Sequence, residues 1–254
     1  MSIQAKKSLG QNFLVDQNLI RKIIHAINIQ PNEHLIEIGP GQGALTRHIL
    51  AAGARVTVVE KDPRMVPILE ELSAEFDNRL TVHLADALEI DFSTLGTPCK
   101  LVGNLPYNVG TPIVIKALEQ SHNFPQMTFM LQREVIDRIT AQPKSSDWGR
   151  LGVWCHLRAN CKRLFDVPPS AFIPRPKVTS AIVQITPLEK NRFDVDTKKL
   201  SSLLLKCFTK RRKMLRASLK GTLTAEQIEA VGIPASARPE ELSTEDFCKL
   251  TNLL

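Results

Sequence analysis

Asn104-Leu105-Pro106-Tyr107 is the run whose residue types and spacing best suit one chemistry, the handling of a planar amine. An amino group conjugated to an aromatic ring is a poor nucleophile, because its lone pair is delocalised into the ring. Two acceptors, the Asn104 side-chain oxygen and the Leu105 carbonyl, can hold both N–H bonds and favour a more pyramidal nitrogen. The Pro106 ring fixes φ and removes a competing N–H donor. Tyr107 offers a face on which an extruded base can stack, worth about 1–3 kcal/mol. Each residue also has an ordinary reading, since Asn caps helices and Pro-Tyr makes turns.

Upstream, Glu37-Ile38-Gly39-Pro40-Gly41-Gln42-Gly43 lies between a strand pattern and a helix pattern. Glycines there let backbone approach a ligand closely, and a helix N-terminus favours anionic groups. Glu60 ends the next strand pattern, 21 residues beyond Gly39, where a carboxylate can accept two ribose hydroxyls. Asp86 closes a third strand, at a height suited to an exocyclic adenine amine. The turn and Glu60 alone do not separate a nicotinamide dinucleotide from S-adenosylmethionine, and a tight turn beside a solvent-facing Glu would read the same.

These residues gain weight from the elements that must hold them. Residues 17–29 have helical apolar spacing behind Asp16 as N-cap. Strands are expected over 34–38, 55–59, 80–84, 100–102 and 126–131. Helices are expected over 44–52, 63–76 (bent at Pro67), 112–120 and 134–141. Alternation of this kind, with polar residues at successive strand C-termini, predicts a parallel α/β sheet with its ligand outside those ends. Residues 151–160 and 179–186 read as further strand material around the Pro-rich 168–176. The polar loop 143–150, flanked by Lys144 and Arg150, is a candidate flap over the site. Helix resumes after Asp196, and the polar stretch 187–195 marks an expected boundary between domains 1–187 and 188–254.

Charge divides the chain in a similar place. Residues 1–154 carry 15 Lys and Arg against 16 Asp and Glu, whereas residues 155–254 carry 18 against 10. A neutral front and a basic back suggest that one part meets a polyanion, although a solvated basic face gives the same count. No apolar run approaches the roughly 18 residues of a membrane span, and the first ten residues lack the apolar stretch of a secretory signal. Five cysteines without a C-x-x-C pair suit reduced thiols, so a soluble, cytoplasmic protein without membrane partners is expected. The scattered histidines show no metal spacing, and no metal is assigned.

Gly39-Pro-Gly41-Gln-Gly43, Glu60, Asp86 and Asn104-Leu-Pro-Tyr107 look like the Rossmann-like S-adenosylmethionine-dependent adenine-N6 methyltransferases. Gly10-Gln-Asn-Phe-Leu14, the segment from Phe172 to Ser180 and the segment from Arg211 to Leu219 narrow this. From residue 10 onward the chain resembles the ribosomal RNA adenine dimethyltransferase family, on its bacterial small-subunit branch. The resemblance implies a Rossmann-like methyltransferase sheet with a small C-terminal helical domain. It also implies S-adenosylmethionine as cofactor and dimethylation of two adjacent adenosines near the 3′ end of small-subunit ribosomal RNA, with a role in ribosome assembly. Asn12 and Leu14 would lie against the cofactor, Gly39 and Gly41 would approach it, Glu60 would hold its ribose and Asp86 its adenine amine. Asn104 would serve both cofactor and target nitrogen, with Leu105 and Pro106 beside it. Phe172 would be the second wall of a sandwich clamping the adenine against Tyr107. Lys210, Arg211, Arg212, Lys213 and Arg216 would contact RNA phosphates. Ala217 departs from the pattern, standing where the resemblance expects Asn.

The resemblance leaves a competitor within the family, the erythromycin-resistance branch that methylates a large-subunit adenine. Outside it stand a nucleotide-linked dehydrogenase and a non-catalytic RNA-binding assembly factor. The dehydrogenase would leave Asn-Leu-Pro-Tyr without a purpose, and an intact Glu60, Asp86, Asn104 and Tyr107 argues against a decayed pocket. The expected protein is a monomeric enzyme acting on the small ribosomal subunit.

Overall fold

A computed structural model describes residues 4–6 and 9–254. In chain order the strands are β1 (Phe13–Leu14), β2 (His34–Ile38), β3 (Arg55–Glu60), β4 (Leu80–Leu84), β5 (Lys100–Asn104), β6 (Met127–Gln132), β7 (Ala159–Val167), β8 (Phe172–Ile173) and β9 (Ser180–Pro187). The helices are α1 (Gln17–Ile27), α2 (Ala44–Ala51), α3 (Val66–Glu75), α4 (Gly110–Glu119), α5 (Arg133–Thr140), α6 (Arg150–Arg158), α7 (Thr197–Thr209), α8 (Leu215–Ser218), α9 (Ala225–Ala230) and α10 (Thr244–Thr251).

Seven strands form one sheet in the order β4-β3-β2-β5-β6-β9-β7. The five from β2 to β6 are parallel to their neighbours, and β9 runs antiparallel to β6. Val56, Val58 and Val59 are buried in succession, as expected for a strand covered on both faces. Ile20, Ile23 and Ile27 of α1 form one buried stripe, and Asp16 caps that helix by accepting from the N–H groups of Asn18 and Leu19. They meet Leu45, Ile49 and Leu50 of α2 and Leu69 and Leu72 of α3 in a single core. Pro67 falls in the first turn of α3, where its missing N–H is harmless. A 3-10 turn over Pro63–Met65 precedes it, so the expected long bent helix is two pieces.

Register decides where the chemistry collects. Ile38 pairs with Val59 on one side and Gly103 on the other, Glu60 pairs with Leu84, and Asn104 pairs with Met130. The C-terminal ends of four neighbouring strands therefore finish level, and Gly39, Glu60, Asp86 and Asn104 sit at or just beyond them.

The chain falls into two compact units, one running to Ile136 and including Lys162–Pro187, the other comprising Asp137–Cys161 and Leu188–Leu254. The single cut expected at 187/188 is not the division the contacts draw. Residues 137–161 join the second unit because α6 packs on α7 and α10. Residues 151–160 are also not strand material but mostly the helix α6. Gly152 to Cys155 and Leu157 are all buried, so almost every face is covered and no period of 3.6 shows in the sequence. Within this unit Trp148 is fully buried and donates its indole N–H to the Leu242 carbonyl at 2.9 Å. Phe208 and Phe247 meet at 5.6 Å between ring centroids. Among the described residues no helix is long and apolar enough to cross a membrane.

Candidate active site

The level strand ends of the first unit border a cavity of about 330 Å³. Residues 9–15 form an arm along it, and Gly39, Gly41, Glu60, Asp86 and Asn104 to Tyr107 all line it. Gly41 has φ +55°, and a Cβ there would come within 3.2 Å of the Phe13 ring. The left-handed backbone there favours glycine, and any side chain would crowd the Phe13 ring of the arm. The Gly41 N–H donates to Glu60 Oε2 at 3.1 Å and the Asp62 N–H to Oε1 at 2.7 Å. Backbone donors thus aim both oxygens of Glu60. Burial nevertheless pushes the Glu60 carboxyl above its usual range, opposed by those backbone bonds.

The arm is fastened at both ends. Gln11 Nε2 donates to Asp62 Oδ2 at 2.9 Å, and the Arg64 guanidinium pairs with the same buried carboxylate. At the other end β1 pairs with β8, Leu14 opposite Phe172. Between them the Asn12 carbonyl accepts from Asn104 Nδ2 at 3.2 Å. That bond orients the Asn104 amide: one of its two N–H donors is taken by the arm, which turns Nδ2 there and leaves Oδ1 available as an acceptor. Pro106 accepts at its carbonyl from the N–H groups of Val109 and Gly110, which starts α4 and fixes the loop that carries Tyr107. The Tyr107 hydroxyl lies 2.6 Å from Ser180 Oγ.

Two residues depart from the expected assignment, and a third, Asp86, lines the cavity with partners already in place. Phe172 is 3% exposed, belongs to the core with Leu14 and Val167, and does not line the cavity. It is held there by the β1–β8 pairing, so no aromatic wall faces Tyr107 from that position. Asp86 is already partnered: Lys61 Nζ binds Oδ2 at 2.6 Å and the Leu88 N–H binds Oδ1 at 2.9 Å. The Lys61 ammonium, ahead of the Leu88 bond, holds the Asp86 carboxyl below its usual range. In the second unit, Arg211 donates to Glu240 Oε2 at 2.9 Å and to the Ser146 carbonyl at 2.6 Å. Its guanidinium is a tie within that unit, whereas Lys210, Arg212, Lys213 and Arg216 are exposed. The same bonds, with Lys144 N–H donating to the Glu240 carbonyl, pin the loop 143–150 that was expected to act as a flap.

Sequence reasoning passed over Glu37, quoted only as the start of the glycine motif. It is 1% exposed at the end of β2 and receives the Thr46 hydroxyl at 2.6 Å. Burial pushes its carboxyl up to about 7, the Thr46 bond opposing and Glu60 reinforcing. Unfolded, the group titrates near 4.5. The stability this shift contributes is thus complete below about pH 4.5 and is lost as pH rises through about 7, some 2.5 units or about 3 kcal/mol. Urea melts of the ligand-free chain should show that decline, and Glu37→Gln should flatten it. Equal slopes in both proteins would mean that Glu37 is ionised throughout.

Among the described residues, the charged ones lining the cavity are Glu37, Glu60, Asp86 and Lys61, and the lysine is paired. A surplus of carboxylates opposes the pyrophosphate of a dinucleotide and suits a cationic ligand with a ribose diol and an amine. S-adenosylmethionine, a cation that carries both groups, fits that donor set.

A profile of the ribosomal RNA adenine dimethylase family matches residues 2–254. A ribosomal RNA small subunit methyltransferase A from Pseudomonas putida is 45% identical over 255 residues, covering 99% of this chain and 95% of that protein. Among solved structures, a dimethyladenosine transferase from Plasmodium falciparum matches with TM-score 0.80 at 25% identity, over 94% of this chain and 95% of that one. The 23S rRNA methyltransferase ErmE matches with TM-score 0.71 at 28% identity, over 95% and 98% of the two chains.

Proposed function

This chain belongs to the ribosomal RNA adenine dimethylase family, and from that premise we propose its target: the N6 amines of two adjacent adenosines near the 3′ end of small-subunit ribosomal RNA. Each amine receives two methyl groups, as one step in maturation of the small subunit by a cytoplasmic monomer. The sheet is the Rossmann-like methyltransferase fold, and the methyl donor is S-adenosylmethionine. Bound in the cavity, that cofactor supplies a methyl carbon already activated by its sulfonium.

The chain's own contribution is placement. Glu60 takes the ribose and Asp86 the adenine amine, Lys61 shifting or sharing the carboxylate. Asn12, Leu14, Gly39 and Gly41 shape the wall that excludes water. The target adenine, turned out of its helix, stacks on Tyr107. Asn104 Oδ1 and the Leu105 carbonyl hold its N–H bonds and leave the lone pair directed at the cofactor side, and Pro106 keeps a donor out of that corner. The observation that carries this reading is the Asn104 amide, whose nitrogen is turned to the arm so that Oδ1 stays available as an acceptor.

Labelled cofactor offered to isolated small and large ribosomal subunits, followed by digestion to nucleosides, tests it. Label in N6,N6-dimethyladenosine of the small subunit is expected. Label confined to the large subunit would install the erythromycin-resistance reading instead.

A further inference from the structure

The 2.6 Å contact between Tyr107 and Ser180 joins two segments that the sequence singled out separately, and joins them at an unexpected point. Phe172, at one end of its segment, was the anticipated partner of Tyr107; Ser180, at the other end, is the residue that reaches it. A stacking face needs only a ring, so a phenylalanine would serve and the phenol oxygen needs another purpose. Ser180 is fully buried at the first position of β9, where its backbone is paired with Gln132 of β6. The hydroxyl is therefore presented from a strand at the sheet's interior, whereas Tyr107 stands half-buried on the loop between β5 and α4. Burial pushes the Tyr107 phenol above its usual range, so it stays a neutral hydrogen-bonding group.

We propose that Ser180 is a positioning residue for methyl transfer, fixing through its hydroxyl the direction of the Tyr107 ring axis and so the place of the face against which the adenine rests. The claim rests on the reading of Tyr107 as the stacking face. A tyrosine attached only through its Cβ swings about two torsions. Tied at Cβ by the loop and at Oη by the sheet, its long axis has one direction and only rotation about that axis is left, so the face on which a base stacks stays at one place relative to Asn104. Removing the tie leaves the ring and the cofactor pocket in place but spreads the amine over positions of which few are productive.

The chain has a single tyrosine, so 3-fluorotyrosine gives a single fluorine resonance that reports this ring alone. Tyr107→Phe and Ser180→Ala, singly and together, should be assayed for methyl transfer to small subunits and for cofactor affinity. Each single variant should lower kcat by about tenfold, the order of one lost hydrogen bond, with cofactor Kd unchanged. The double variant should be no slower than either single one, and in Ser180→Ala the fluorine line should shift and broaden. Multiplying rate losses in the double variant, or an unmoved fluorine line, would overturn the proposal. If Ser180→Ala does not fold, Tyr107→Phe removes the same bond from the loop side, and wild-type kcat in that variant overturns it equally. Tyr107→Ala separates the two levels: wild-type turnover there ends the stacking reading itself, whereas a dead Tyr107→Ala beside an unaffected Ser180→Ala ends only the role given to Ser180.

Discussion

Asn104→Ala should lower single-turnover methyl transfer by a factor on the order of 10²–10³, the scale of losing one preorganised polar partner of a transition state. The reason lies in the nucleophile. An adenine amine attacks only once its lone pair leaves conjugation, and in the proposed function the N–H bonds are held out of the ring plane to favour that geometry. Asn104 Oδ1 is there one of two acceptors, so alanine would leave one amine hydrogen without a partner in a site that excludes water. The variant also frees the Asn12 carbonyl from its 3.2 Å bond, which loosens the middle of the arm but neither the Gln11–Asp62 end nor the β1–β8 end. Cofactor affinity should therefore fall far less than the rate, and the thermal melt should barely move. Asn104→Asp is the informative control. It keeps an acceptor but loses the donor to Asn12, so it should lie between alanine and wild type. Calorimetric cofactor binding beside rapid-quench transfer to small subunits separates the two quantities. Wild-type turnover in Asn104→Ala would remove the residue from the chemistry.

The parts of this site that could be read from the sequence are those written by a single strand end. Parallel strands buried on both faces appear as apolar runs, and polar or glycine residues gather at and just past their C-terminal ends. Reading those ends picks out Gly39, Glu60, Asp86 and Asn104 in order, and their common level follows from the pairing register. What escaped depends on partners far apart in the chain. Lys61 reads as a surface lysine until its bond to Asp86 is seen, and Glu37 reads as the start of a motif until Thr46 and burial are seen beside it. Phe172 carries the right ring type, but the pairing of β8 with β1 turns it into the core. The helix α6 escaped because burial on nearly every side erases helical periodicity, and with it went the assignment of residues 137–161 to the second unit.

The basic cluster of the second unit shows the same limit and leads to the other large effect. Charge counting treats Lys210, Arg211, Arg212 and Lys213 as equals, but the fold does not. Arg211 is occupied by Glu240 and the Ser146 carbonyl, whereas Lys210, Arg212 and Lys213 stand exposed just beyond α7. If those three meet phosphates, each releases condensed counterions and contributes about 0.7–0.9 to the slope of log affinity against log salt. Replacing all three by alanine should then flatten the slope for small-subunit RNA by about 2–3. At roughly 0.1 M salt the same terms weaken binding by about 10²–10³-fold. Cofactor affinity should not change, because none of the three lines the cavity. Arg211→Ala should behave oppositely, lowering the melting temperature by releasing the loop it ties while leaving the salt slope close to wild type. Filter binding across a salt series, read beside thermal melts, distinguishes the two kinds of arginine. A slope unchanged in the triple variant would make the exposed cluster an ordinary solvated face, and a slope lost in Arg211→Ala would return that residue to the RNA.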